Sequence, residues 1–170
     1  ERLSEWLRGV HENTQYTTSV CTGSLLLAGA GILDGLEATT HWLAMDTLEE
    51  NGAKPTSRRV VEQGKVITSA GVSSGIDMSL RLTELLYGPE LAQTLQLAIE
   101  YDPEPPFDAG SPDKAPEGIA GSGVCWRPPG AALPLALQVE HVVVEVDLDR
   151  VALACHVTLL DAAAVAVDLG

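Results

Sequence analysis

The run from Tyr16 to Leu33 constrains this chain more than any other stretch. Tyr16 to Val20 is short and β-rich, Cys21 follows it, and Thr22 to Leu33 is almost entirely apolar or small until Asp34-Gly35 stops it. That order reads as a strand, a tight turn and a buried helix whose glycines allow close approach to a sheet. The same alternation continues on both sides. Leu3, Trp6, Leu7 and Val10 mark one face of a helix already running at residue 1. Ala38-Thr39-Thr40 suggests a short strand, and Trp42 to Asn51 a helix closed by Asn51-Gly52. Arg59 to Glu62 and Lys65 to Ser69 flank Gln63-Gly64 as a hairpin. Val72, Ile76, Leu80 and Thr83 mark a long helix ending at Gly88, and Pro89 opens another with Leu91, Leu95 and Ala98 facing inward. Asp102 to Pro116, with its prolines, is an irregular wrap. Strands alternating with helices predict an α/β layered domain with a largely parallel sheet.

Composition bounds the function classes. The 170 residues are 45% hydrophobic, enough for one core, and carry a formal net charge of −14. So acidic a chain is a poor partner for nucleic acid or an anionic membrane surface, because both require positive charge facing phosphates. No apolar run reaches the roughly 18–20 residues of a spanning helix, and no signal-like segment opens the chain. Three cysteines are too few for a disulfide framework, so a reducing cytoplasm is the expected compartment. The first residue is Glu1 rather than Met and lies inside a helical pattern, so a fragment of a longer domain is expected. Composition shifts again late in the chain: twenty-six of residues 131–170 are Ala, Val or Leu, and no Lys follows Lys114. Within that tail, Gln138 to Leu148 and Val151 to Leu160 read as two strands around Asp149-Arg150.

Cys21 is the candidate for chemistry, although by pattern alone a lone cysteine is more often an inert core residue. A thiol on a strand–turn–helix connection faces the N-terminus of the helix that follows, where unpaired N–H groups and the helix dipole favour thiolate over thiol. Gly23 leaves room for a substrate beside the backbone, and the same N–H groups can hold a developing negative charge. The arrangement is analogous to a nucleophile elbow with Cys in place of Ser.

Three stretches carry a resemblance. Ser19-Val20-Cys21-Thr22-Gly23-Ser24-Leu25-Leu26-Leu27-Ala28, continued by Gly35 and Ala38-Thr39-Thr40-His41-Trp42, is the first. Val66-Ile67-Thr68-Ser69-Ala70-Gly71-Val72-Ser73-Ser74-Gly75-Ile76-Asp77 is the second, and Ile99-Glu100-Tyr101-Asp102-Pro103-Glu104-Pro105-Pro106-Phe107-Asp108-Ala109-Gly110-Ser111-Pro112 the third. Together they resemble the ThiJ/PfpI ("DJ-one") family of the class I glutamine amidotransferase-like superfold, and the last two resemble its isonitrile hydratase-like branch most. The resemblance implies a flavodoxin-like three-layer α/β/α sandwich over residues 1–118, incomplete at its N-terminus because the first strands would precede Glu1. For the atypical residues 119–170 it leaves two readings, a pair of strands or a frame error replacing the family's terminus.

The resemblance also implies roles. Cys21 matches the nucleophile, and Thr22 the hydroxyl residue that follows it where the family's proteases carry His. A carboxylate from the first βα turn, expected upstream of Glu1, would complete the site. Gly23, Gly71 and Val72 would shape the substrate pocket, while His41, just after a strand, is either a polar residue satisfied at the strand end or a further residue lining that pocket. The implied reaction is addition of the Cys21 thiolate to an isonitrile carbon and hydrolysis to an N-substituted formamide, by a cytoplasmic homodimer acting on a small molecule, with no metal or organic cofactor.

Two alternatives belong to other classes. Similar domains form the ligand-sensing front half of AraC-type regulators, although here the tail has only Arg127 and Arg150 against six acids and is no DNA-binding half. A glyoxalase- or deglycase-like activity on reactive aldehydes is the other, weakened where Asn51-Gly52-Ala53-Lys54 lacks the His some relatives place there. Cys125, Cys155, His141 and His156 do not make a zinc site, because adjacent Cys155 and His156 would point to opposite faces of a strand.

Overall fold

The computed structural model describes residues 2–120, together with the two-residue strands Val139–Glu140 and Thr158–Leu159. Helix α1 (Arg2–Asn13) leads into strand β1 (Thr17–Val20), and the turn at Cys21 opens α2 (Gly23–Gly29). Next come β2 (Glu37–Ala38), a 3-10 turn at Trp42–Ala44 running into α3 (Met45–Glu50), and β3 (Lys54–Pro55). The hairpin of β4 (Val60–Gln63) and β5 (Val66–Ser69) is followed by α4 (Ser74–Tyr87) and α5 (Pro89–Ala98). Among the described residues, 102–116 contain neither helix nor strand.

The sheet order is β1-β5-β4, with β2 and β3 forming a separate parallel pair. β1 and β5 run parallel with Val20 opposite Ser69, so both strands end at the same edge. β4 is antiparallel to β5, with Gln63 opposite Val66, because a two-residue connection can reverse a chain but cannot cross over to a parallel neighbour. Gly64 supplies the positive φ (+62°) that this turn needs. The three-stranded sheet is therefore mixed, with the expected hairpin supplying its antiparallel pair.

Successive residues of β5 point to opposite faces and divide the core into two layers. Val66 belongs to a cluster with Leu27, Leu33, Ala38, Leu48 and Ala53, against which Leu7 of α1 packs. Ile67 belongs to the other cluster, with Val20, Cys21, Met78 and Leu82. Helices α2 and α3 thus cover one face and α4 the other. Lys65 fastens α1 to the hairpin: its Nζ donates to the carbonyls of His11, of Glu12 at 3.5 Å and of Thr14 at 3.2 Å. These carbonyls at the helix end have no intrahelical donor, so an ammonium there satisfies them and complements the negative end of the dipole.

Several expectations are corrected. The helix expected over Thr22 to Leu33 stops at Gly29, and residues 30–36 are turns with Gly31 and Gly35 at positive φ. The glycine that permits close helix–sheet approach is Gly75, where a Cβ would lie 3.2 Å from Val20 Cγ1, whereas a Cβ at Gly29 would meet nothing within 4 Å. The inward face of α4 is Ser74, Met78 and Leu82, while Val72 (62% exposed) lies before the helix and Ile76 is also exposed. This helix is apolar on two sides, and Leu80 lines a cleft between it and α5. In α5 only Ala92 is buried, and Leu91, Leu95 and Ala98 are exposed, contrary to the expected inward face. Trp6, on the marked face of α1, is 53% exposed. β3 was not expected at all; it is two residues long and ends in Pro55.

Val139–Glu140 pairs antiparallel with Thr158–Leu159, inside the two strands expected in the tail, and the rest of that tail lies outside the described residues. Urea unfolding tests the corrected helix faces. Met78→Ala should cost about 3 kcal/mol through the cavity it leaves, whereas Leu97→Ala at a 78% exposed position should stay within about 0.5 kcal/mol.

Candidate active site

The site is built on the turn that leaves β1. Cys21 has φ +57°, a left-handed conformation that is uncommon for a residue with a side chain. Hydrogen bonds on both sides of the peptide hold it there. Its N–H is shared between the carbonyls of Ser69 (3.0 Å) and Ala70 (2.8 Å), which anchors the turn to the end of β5. Its carbonyl accepts from Ser24 Oγ (3.1 Å) and Thr40 Oγ1 (3.0 Å), one from α2 and one from just after β2. The thiol residue is 5% exposed and packs with Val20, Ile67 and Met78.

Thr22 occupies the N-cap position of α2 at φ −66°, ψ −6°, and its side chain makes no capping bond to that helix. Its carbonyl accepts from the Leu25 N–H at 3.0 Å. Gly23 is the buried first residue of α2. His41 caps the 3-10 turn, its Nδ1 accepting from the Leu43 N–H at 3.3 Å. With Nδ1 engaged as acceptor, the neutral ring carries its proton on Nε2. Burial pushes the His41 pKa below its ordinary value, which favours this neutral form.

Gly71 opens the turn after β5, and a Cβ there would lie 3.8 Å from His41 Cδ2. Its carbonyl accepts from the Ser74 N–H at 2.8 Å, which starts the turn into α4. Cys21, Thr22 and Gly23 therefore form the elbow, and the Ala70 carbonyl joins it to the neighbouring Gly71 and His41. Val72 sits on the outer surface of the same turn. All of these lie at the carboxyl ends of β1, β2 and β5, the edge at which open α/β sheets bind ligands.

The sequence reading missed the residues that hold the elbow in place: Ser24, Thr40, and the Ser69 and Ala70 carbonyls. Of these, only Thr40, a hydroxyl residue two positions after the end of β2, carried a local signal. Among the described residues, no group of three His, Cys, Asp or Glu side chains could hold a metal ion. Cys125, His141, Cys155 and His156 lie outside the described residues.

A strand, a strained cysteine turn and a helix, with companion strands ending at the same edge, define an elbow-type α/β protein. The chain matches the DJ-1/PfpI family over residues 1–85 and belongs to that family. Isonitrile hydratase of Pseudomonas putida is 47% identical to it over 119 residues, covering 70% of this chain and 52% of that protein. The HTH-type transcriptional regulator CdhR of Pseudomonas aeruginosa is 40% identical over 92 residues, covering 53% of this chain and 27% of the regulator. The crystal structure of a ThiJ/PfpI family protein from Pseudomonas syringae aligns with TM-score 0.61 at 47% identity, over 63% of this chain and 44% of that one. The fold is thus the flavodoxin-like α/β/α class expected from the sequence. The chain spans about half the length of the isonitrile hydratase. No helix among the described residues is long and apolar enough to cross a membrane.

Two histidines make stability depend on pH. His41 and His11 both have pKa values lowered first by burial, and the Lys65 ammonium adds to the effect at His11. The unfolded chain therefore takes up protons at a higher pH than the folded one, and the difference destabilises the fold as pH drops from the ordinary histidine value near 6.5. Protonation also removes the His41 Nδ1 lone pair that caps Leu43. The midpoint of urea unfolding should fall between pH 7.5 and pH 5.5, and His41→Gln should make that fall shallower.

Proposed function

We propose that this chain contributes the nucleophile-bearing part of a cysteine-dependent hydratase acting on isonitriles. The observation that carries the reading is the left-handed elbow at Cys21 in a chain 47% identical to an isonitrile hydratase. Cys21 is the nucleophile, and Thr22, next to it on the elbow, positions substrate or water through its hydroxyl. Gly23, His41, Gly71 and Val72 border the pocket.

The reaction balances without an external oxidant or reductant. The Cys21 sulfur bonds to the terminal isonitrile carbon, and that carbon takes a proton, giving a thioimidate. Water then adds to the same carbon, nitrogen is protonated, the carbon–sulfur bond breaks, and an N-substituted formamide leaves with the thiol restored. The neutral His41 ring offers an Nε2–H donor at the rim rather than a base. This reading also requires a catalytic carboxylate to handle the protons. A homodimer in the cytoplasm, without metal or organic cofactor, completes the proposal.

One observation favours a second reading. The 40% identity to a transcriptional regulator extends over 53% of this chain, which supports a ligand-sensing domain. Gas chromatography of cyclohexyl isonitrile incubated with the parent protein separates the two. Formamide should accumulate with wild type, vanish with Cys21→Ala, and form about tenfold more slowly with Thr22→Val. No formamide from wild type overturns the hydratase reading. Ligand binding without turnover then favours the sensor, and consumption of methylglyoxal favours an aldehyde-directed enzyme.

A further inference from the structure

Outside the elbow, one ion pair is connected to the nucleophile by an unbroken run of hydrogen bonds. Arg59 stands immediately before β4, and Asp77 lies in the first turn of α4. Arg59 Nε donates to Asp77 Oδ2 at 2.7 Å, and its Nη2 reaches Ser73 Oγ at 3.4 Å. The second carboxylate oxygen, Oδ1, accepts from the Tyr101 hydroxyl at 2.7 Å, so both oxygens of Asp77 are engaged. On the backbone side, the Arg59 carbonyl accepts from the Ala70 N–H at 2.9 Å, and the Ala70 carbonyl accepts from the Cys21 N–H at 2.8 Å. Arg59 therefore grips the turn after β5 twice, by its carbonyl at Ala70 and by its guanidinium at Ser73. Ala70 passes that hold directly to the strained residue.

Arg81 provides an internal comparison. It also joins α4 to β4, donating to Glu62 Oε1 at 2.6 Å and to Glu84 Oε2 at 2.7 Å. Its side chain is 39% exposed, against 52% for Arg59. No hydrogen bond of its side chain leads to the turn at 70–73 or to Cys21. Both are exposed ion pairs, which contribute little to stability. Only one of them sits where a small displacement moves the nucleophile.

We propose that the Asp77–Arg59 pair is a positioning unit for Cys21, fixing the 70–73 turn and, through Ala70, the left-handed elbow. The proposal rests on the reading of Cys21 as the nucleophile. Turnover is sensitive to displacements that barely affect stability. Releasing the turn also gives small reagents easier access to a thiol that is almost fully covered.

The test uses the full-length protein and two readouts, isonitrile turnover and the rate at which iodoacetamide alkylates Cys21, followed by peptide mass spectrometry. Asp77→Asn and Arg59→Met should each lower kcat about tenfold while KM changes less than about twofold. Both should speed alkylation of Cys21 about threefold. Arg81→Met should leave both quantities at the wild-type level, and Arg59→Lys, which keeps a charge against Asp77, should recover part of the lost kcat. Alkylation rates equal to wild type in both Asp77→Asn and Arg59→Met overturn the proposal, as does an equal change in Arg81→Met. The alkylation readout needs no substrate, so a wild-type protein that ignores isonitriles counts against the hydratase reading alone.

Discussion

The left-handed backbone at Cys21 carries an intrinsic cost of about 1–2 kcal/mol for an L-residue. It persists because the donors and acceptors around it come from three separate elements. Ser69 and Ala70 at the end of β5 take the N–H, while Ser24 in α2 and Thr40 after β2 supply the carbonyl with donors. Removing any of these contacts allows the peptide to relax toward an ordinary turn. The parallel register of β1 on β5 follows from the same requirement, since both strands must end together for Ser69 and Ala70 to meet Cys21.

Around the elbow the core is unusually polar for its depth. Ser19, Ser24, Thr39, Thr40, Thr68 and Ser69 are all buried. Thr68 Oγ1 accepts from the Thr39 N–H at 2.9 Å, and Ser69 Oγ donates to the Ser19 carbonyl at 3.3 Å. Among the described residues, Ser19 Oγ and Thr39 Oγ1 find no partner. Small hydroxyl side chains let three strand ends approach one another closely, and each bond fixes a relative position that apolar contacts would leave loose. The Cys21 side chain packs in an apolar cluster, while the backbone of its turn depends on directional bonds.

Much of this was legible in the residues themselves. The β-run ending at Cys21, the Gln63-Gly64 hairpin and Pro89 at the head of α5 are local signals, set by backbone preferences that act within a few positions. Helix faces were not legible where a helix is apolar on more than one side. α4 offers Ile76 and Leu80 on one face and Met78 and Leu82 on another, and the choice between them depends on what packs there. Only the sheet beneath Gly75 and the neighbouring α5 decide it. β3 escaped notice because a two-residue strand ending in proline carries no period. At the site, Cys21, Thr22 and Gly23 announced themselves by order along the chain. Thr40, Ala70, Arg59 and Asp77 are distant in sequence and join the elbow only once the strands are in register.

Lys65 reaches the end of α1 from 54 residues further along the chain. A growing polypeptide is made from its N-terminus, so α1, β1 and Cys21 all exist before Lys65, β5 or Ala70 has been added. Until that hairpin arrives, the last carbonyls of α1 have no ammonium, β1 has no β5 beside it, and the cysteine N–H has neither Ser69 nor Ala70 to hold it. Cys21 therefore acquires its strained backbone setting only after residue 70 has been added. A translation product that stalls before the hairpin carries the same cysteine without the geometry that sets it apart.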